Sequence, residues 1–320
     1  MNAAILGCGA MGSAHAGVYA GLGVRVAAFC DQDETRAEKL SKSAGGNAYS
    51  DLEEMLDRER PDVVSVCTPA FNHLDAIRAL ASRGVATLCE KPFALDMAQA
   101  REAYAVVKDA GIPFRLGFKM RYEGVYATAR KIVESGEIGA LRYAFISHFQ
   151  PLSEPAWYMD IGVGTELLVH AMDISCWMFN ETPAEALMRS EYRLGKTGED
   201  QARIELRFGD GRQALIAGGY MPGYPPVRGK HDFVFQFIGE KGYVCGKRNS
   251  AVEVFSPDRV EVLHPDDVNA FQDEIRDFLA AAKGIPSGGA TLEDALRSQR
   301  VLTAVKVSEK TGTFECVEGM

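Results

Sequence analysis

The chain has 320 residues, 47% apolar and 25% charged, the composition of an ordinary globular protein long enough for two cores. A net charge of −9 with no basic run argues against nucleic acid as a partner. Seven cysteines without CxxC spacing, no positively charged leader ahead of residues 3–6 and no apolar run long enough for a bilayer set the expectation of a cytoplasmic protein with no membrane partner.

In chain order, a strand over residues 3–6 runs into Gly7-Cys8-Gly9-Ala10-Met11-Gly12 and then a small-residue helix over 13–20. The three glycines suit a tight turn, close approach of a pyrophosphate to backbone, and close packing of helix on strand, with the phosphate facing the helix N-terminus. A second strand over 24–29 follows, and Asp31 stands nineteen residues after Gly12, where the acid that binds an adenosine ribose is expected. That context predicts a dinucleotide site at Gly7, Gly9, Ala10, Met11, Gly12 and Asp31, where the bare glycine pattern would predict only a turn. A carboxylate at 31, with Asp33 and Glu34 beside it, repels a 2′-phosphate and favours NAD over NADP. Arg36 either reaches such a phosphate or pairs with a neighbouring acid on the next helix.

A helix over 52–59, a strand over 63–67, a break at Thr68-Pro69 and a helix over 73–83 come next, with Asn72 as expected cap and Gly84 as stop. The run Val85-Ala86-Thr87-Leu88-Cys89-Glu90-Lys91-Pro92 predicts a buried strand whose tip carries an acid and a base. A helix from Asp96, its expected N-cap, closes at Gly111, and a strand over 113–117 follows. Strands alternating with helices predict an α/β, doubly wound parallel sheet, a Rossmann domain over residues 1–118. Ligands bind such sheets outside the carboxyl ends of the strands, where Gly9, Asp31, Thr68 and Lys91 all fall. Thr68, Pro69, Asn72, His73, Glu90 and Lys91 complete the expected cofactor-binding set. Two readings stay open here: Lys91 as an active-site ammonium or a solvated strand-end lysine, and His73 as a cofactor contact or a cover for a helix N-terminus.

Residues 119–320 change texture and predict a second, α+β domain with an open, largely antiparallel sheet. A helix is expected over 122–135, strands over 141–149, 184–194, 200–208, 213–220, 233–238, 242–246 and 251–255, and closing helices over 266–282 and 292–309. Alternating Phe233, Phe235, Phe237 and Tyr143, Phe145 mark either a subunit interface or packing within the chain. Glu166 and His170 are four apart and His170 and Asp173 three apart, so on one helix the three share a side. An acid beside an imidazole raises its pKa and fixes its tautomer, as a general base requires; a buried histidine satisfied by a helix neighbour is the plainer alternative. The Glu-xxx-His pair lacks third and fourth ligands at suitable spacing, so no metal is expected.

Together, the glycine loop, Thr68-Pro69 with His73, Cys89-Glu90-Lys91-Pro92, Gly117-Phe118 with Arg121-Tyr122, and His170-Ala171-Met172-Asp173 resemble the glucose-fructose oxidoreductase, inositol dehydrogenase and rhizopine-catabolism family. The match in order and spacing runs from the first strand to the last helix. The resemblance implies an N-terminal Rossmann domain, a C-terminal open mixed sheet, a nicotinamide cofactor, no metal, and a sugar or polyol substrate held between the domains. It also implies homodimers or homotetramers assembled through the open sheet. By the same resemblance Lys91 is the family's active-site lysine, contacting substrate hydroxyl and cofactor, and His170 exchanges the substrate proton. Glu166 stands where inositol dehydrogenases carry Asp, one methylene longer, and is read as the orienting partner of His170.

Oxidising a secondary alcohol removes a hydride from carbon and a proton from oxygen, which calls for nicotinamide on one face and a base within reach of the hydroxyl. His170 supplies the base and the Lys91 ammonium stabilises the developing alkoxide. Lys119 departs from the family's Gly-Phe-Asn. It either joins Arg121 and Lys91 around an anionic polyol or pairs with Glu123 and faces solvent. His148, Trp157 and Asp173, with Gln150, Tyr158 and the loop over 219–231, are the remaining candidates for binding substrate hydroxyls. The expected function is hydride transfer between NAD and a secondary alcohol or ketone of a sugar, sugar acid or cyclic polyol. The alternative is a non-catalytic NAD-sensing regulator of the same fold, against which the presence of both Lys91 and His170 argues.

Overall fold

A computed structural model describes residues 1–152, 157–223, 232–266 and 268–319. The chain divides into two compact units, Met1–Lys119 with Asn269–Gln299, and Met120–Val268 with Arg300–Met320.

The first unit begins with β1 (Asn2–Leu6), α1 (Ala10–Gly21), β2 (Arg25–Cys30), α2 (Glu34–Ala44), β3 (Asn47–Tyr49) and α3 (Leu52–Glu59). It continues with β4 (Val63–Val66), α4 (His73–Ser82), β5 (Ala86–Cys89), α5 (Met97–Ala110) and β6 (Phe114–Leu116). β4 and β5 are buried at every position, as strands covered by helices on both faces must be. The sheet order is β3-β2-β1-β4-β5-β6 with every pair parallel, so the connections reverse direction between β1 and β4. That reversal opens a crevice at the carboxyl ends of the strands.

Helix ends follow local chemistry. Asp33, Asp51 and Asp96 each accept a backbone N–H of the first turn of α2, α3 and α5, and Gly111 closes α5 in the left-handed region at φ 63°. The expected cap on α4 is corrected: Asn72 makes no side-chain cap bond, because the chain enters α4 through a 3-10 turn over Ala70–Asn72.

The second unit holds α6 (Gly124–Glu134), β7 (Leu141–Pro151), α7 (Val163–Glu166), α8 (Leu168–Phe179), β8 (Glu185–Glu191), β9 (Gln201–Arg207) and β10 (Gln213–Met221). β11 (Asp232–Gly239), β12 (Tyr243–Lys247), β13 (Val252–Phe255) and β14 (Val260–Leu263) follow. The chain then forms α9 (Ala270–Ala282) in the first unit, α10 (Leu292–Thr311) and β15 (Glu315–Cys316). The nine-stranded sheet runs β14-β13-β12-β11-β7-β10-β9-β8-β15 and is antiparallel except at β7 and β10. Register decides which aromatics face inward. Phe233, Phe235 and Phe237 pair with His148, Ile146 and Ala144 and are buried, whereas Tyr143 and Phe145 fall on the opposite, exposed face. The two groups therefore separate, and the phenylalanines pack within the chain.

A single cut at residue 118 differs from the observed division: the first unit runs to Lys119 and takes back Asn269–Gln299, with α9 and the start of α10. α9 returns to the first unit because its apolar stripe, Ile275, Phe278 and Leu279, completes the core formed by Ile5, Phe29, Val63 and Leu88. Among the described residues no helix is long and apolar enough to cross a membrane. The seven cysteines, all described, are free thiols.

Candidate active site

The glycine loop joins β1 to α1. Gly7 adopts φ 91°, and a Cβ there would meet the Cys67 carbonyl carbon at 2.7 Å, so only glycine lets the loop cross the end of β4. A Cβ on Gly12 would stand 1.9 Å from the Gly7 carbonyl oxygen, which fixes how closely α1 lies on β1. Gly9 faces open space, with nothing within 4 Å of its Cβ position. α1 carries no side-chain cap and no acid in its first turn, so its N-terminal amides are not neutralised by the helix's own residues.

Asp31 ends β2 beside this loop. Its Oδ2 accepts the Cys8 N–H at 2.7 Å and its Oδ1 accepts the Asp33 N–H at 2.9 Å, which fixes the carboxylate against the glycine turn. Arg36 pairs with Asp33 at 3.2 Å on the exposed face of α2, its structural alternative. An uncapped helix end behind an open glycine, with an anchored acid on the neighbouring strand, fits a dinucleotide: Gly7, Gly9, Ala10, Met11 and Gly12 would hold the pyrophosphate and Asp31 the ribose.

Thr68 and Pro69 follow β4. The Thr68 hydroxyl is buried with no hydrogen-bond partner among the described residues, and its carbonyl receives the Nε2–H of His73 at 2.8 Å. His73 is wholly buried, its Nδ1 lies 3.3 Å from the Phe93 carbonyl, and burial holds its pKa down. It thus ties the start of α4 to the loops after β4 and β5, the covering role rather than a cofactor contact.

β5 delivers Glu90 and Lys91. Gly117, after β6, backs the acid: a Cβ there would lie 3.1 Å from the Glu90 carboxyl carbon. Glu90 lies 3.2 Å from Nε2 of His15 and accepts the Lys91 backbone N–H at 3.2 Å. Burial pushes its pKa up, but the His15 hydrogen bond and the charges of His15, Lys91 and Lys119 together hold it below the usual carboxylate value. Lys91 is half-buried beside this anion. Lys119 does not take the expected solvent-facing place: its ammonium lies 4.0 Å from the centre of the Phe271 ring of α9, and Glu123 instead pairs with Arg248 at 2.7 Å.

The second unit holds His170 in α8, where it is buried. Glu166 belongs to α7, and the helix is interrupted at Leu167, so the expected single face spans a break between acid and imidazole. The segment before it is locked by Glu199, which accepts the Gly164 N–H at 2.9 Å and the Lys306 ammonium at 2.5 Å. Asp173 and Arg121 form a buried bidentate pair, Nε to Oδ2 at 2.8 Å and Nη2 to Oδ1 at 2.6 Å, and the guanidinium lies over Trp177. Both groups thus engage one another where they were expected to meet substrate.

His148 requires correction as a hydroxyl-binding candidate. It is fully buried in β7, 2.8 Å from the Tyr126 hydroxyl and stacked 4.2 Å from Phe233, because its side of β7 faces the core. The side chains of Trp157 and Tyr158 and residues 224–231 of the loop lie outside the described residues. Among the described residues no group of three or more His, Cys, Asp or Glu is arranged to hold a metal.

Two residues of this site were not singled out by sequence. His15 follows Gly12 by three and precedes Tyr19 by four on the buried face of α1, and that helical spacing was the signal. Glu274 is an acid on the core-facing stripe of α9, adjacent to Ile275.

A parallel sheet of this order, with a glycine loop at a bare helix N-terminus and an acid closing the second strand, defines a dinucleotide-binding protein. The chain belongs to the GFO/IDH/MocA oxidoreductase family: the family's model of an oxidoreductase NAD-binding Rossmann fold matches residues 1–118, and that of its C-terminal domain matches 126–245. It is an oxidoreductase whose cofactor is NAD. It is 26% identical over 304 residues to an inositol 2-dehydrogenase of Rhizobium meliloti, covering 89% of this chain and 90% of that one. It is 28% identical over 224 residues to a D-apiose dehydrogenase of Paraburkholderia graminis, covering 68% and 60%. Among solved structures, an oxidoreductase from Agrobacterium radiobacter in complex with NAD+, L-tartaric acid and magnesium shares the fold over 100% of this chain and 99% of its own, with TM-score 0.90 at 19% identity.

Proposed function

We propose that the chain is an NAD-dependent dehydrogenase or reductase acting on the secondary alcohol or ketone of a sugar, sugar acid or cyclic polyol. The observation that carries the reading is Lys91, which follows β5 at the edge of the sheet that also bears the glycine loop and Asp31. The inositol and apiose named for the relatives support the substrate class.

NAD, when bound, supplies the acceptor for the hydride leaving carbon. The Lys91 ammonium donates to the reacting oxygen and stabilises its developing charge, a contribution that grows where water is excluded. His170 takes the hydroxyl proton on a ring nitrogen and Glu166 orients that ring. For reduction the same groups act in reverse, His170 giving the proton and Lys91 polarising the carbonyl. Glu90 balances the lysine's charge, and the Arg121–Asp173 pair fixes α8 beneath His170. Lys119 adds a second cation to the Lys91 side of the site and favours anionic polyols.

The exposed Tyr143, Phe145, Leu215, Val234 and Phe255 on one face of the nine-stranded sheet support self-association as a homodimer or homotetramer. Free thiols suit a reducing, cytoplasmic setting. A panel of sugars, sugar acids and inositols incubated with NAD, read by absorbance of the reduced cofactor, tests the reading. Turnover of a polyol is expected; tight NAD binding with silence across the panel would refute it.

A further inference from the structure

The first unit buries a carboxyl that the chemistry above does not use. Glu274 is 2% exposed, and neither of its carboxyl oxygens has a hydrogen-bond partner among the described residues. α9 packs on α1 and β6, and Phe271, one turn before Glu274, meets the His15 ring edge-on at 6.0 Å. The groups within electrostatic reach of Glu274 are Tyr19 of α1, Cys67 after β4, Glu90 after β5, Lys119 after β6, and Asp277 on its own helix, and Phe271 on the same helix face also meets the Lys119 ammonium at 4.0 Å.

Two buried carboxyls within reach of one another's charge do not both ionise. Glu90 has what an anion needs: the His15 ring at 3.2 Å, the Lys91 N–H, and two ammonium groups within electrostatic reach. Glu274 has no such bonds, and burial first, then the Glu90 charge, push its pKa well above the usual carboxylate range. The proton therefore resides on Glu274.

We propose that Glu274 is a positioning residue for the Lys91 site: as the protonated half of a buried carboxyl pair with Glu90, it leaves one negative charge behind Lys91 instead of two, so a second carboxylate does not draw the ammonium from the substrate oxygen. The inference rests on Lys91 being the active-site ammonium. As pH rises Glu274 ionises, the second charge appears, and Lys91 is held back.

The test uses the full chain without NAD. Infrared spectroscopy at neutral pH should show the carbonyl band of a protonated carboxylic acid that Glu274→Gln removes, and Glu90→Gln should shift its titration to lower pH. Carbon-13 labelling of glutamate side chains reads the same titration in the unmutated protein if a variant fails to fold. In turnover, Glu274→Gln should move the alkaline limb of kcat/KM upward by roughly one pH unit, which a role in packing would not do. Absence of the band at neutral pH, a titration indifferent to Glu90→Gln, or an unmoved alkaline limb would overturn the proposal. An undiminished kcat in Lys91→Ala with the band intact would instead sink the reading of Lys91.

Discussion

The crevice edge of the first sheet and the interior around α8 treat polar residues in opposite ways. At the edge, Gly9 faces open space, the α1 N-terminus is uncapped and Lys91 is half-buried, so groups able to bind a ligand remain accessible. Around α8, Arg121 closes on Asp173, His148 on Tyr126 and Glu199 on Lys306, each from elements far apart in sequence. The contrast teaches that a chemistry-bearing residue type is weak evidence of a ligand contact until its partner is known. Loops at the carboxyl ends of parallel strands gather ligand-facing groups by construction, while a packed helix must neutralise the polar groups it buries.

The largest effect expected from breaking this contrast lies in the second unit. Arg121→Ala leaves the buried Asp173 carboxylate without its guanidinium, at a cost of about 3–5 kcal/mol in urea unfolding, whereas replacing both members by apolar residues of similar volume should recover most of it. A loss under 1 kcal/mol would mean that the pair is as weak as one on the surface. At the first unit's edge the change is in selectivity. Asp31→Ala should narrow the preference for NAD over NADP by about tenfold, the worth of roughly one charged hydrogen bond, and an unchanged ratio would remove Asp31 from the ribose site.

A smaller effect sharpens the comparison by showing where the edge, too, buries a charge-bearing group. The folded-state pKa of Glu274 lies above its unfolded value. Between the two values the unfolded chain has lost a proton that the folded chain keeps, so stability is full below the unfolded pKa and falls by about 1.4 kcal/mol per pH unit as pH rises through that window. Glu274→Gln should flatten this slope in thermal unfolding followed against pH.

The sequence made the edge legible because its residues act through backbone and lie in short contiguous motifs. Gly7, Gly12 and Asp31 need only the strand, turn and helix around them to be recognised. The return of α9 to the first core was not readable, since an apolar stripe does not announce which sheet it will cover. His15 and Glu274 escaped for the same reason: a buried charge becomes informative only when its neighbours are known. The sides taken by Phe233 and Tyr143 depended on strand register, which alternation alone leaves open by one residue. Asn72 has the right type for a cap, but a 3-10 turn had already set the backbone there.

The feature on which the account depends is the ammonium at the end of β5. Its most direct test is kcat and NAD affinity measured together for Lys91→Ala on a polyol that the unmutated protein turns over. The account predicts a kcat lower by about 10²–10³, the usual cost of removing one preorganised donor to a developing oxyanion, with NAD bound nearly as well. A kcat within a few-fold of the original would contradict it.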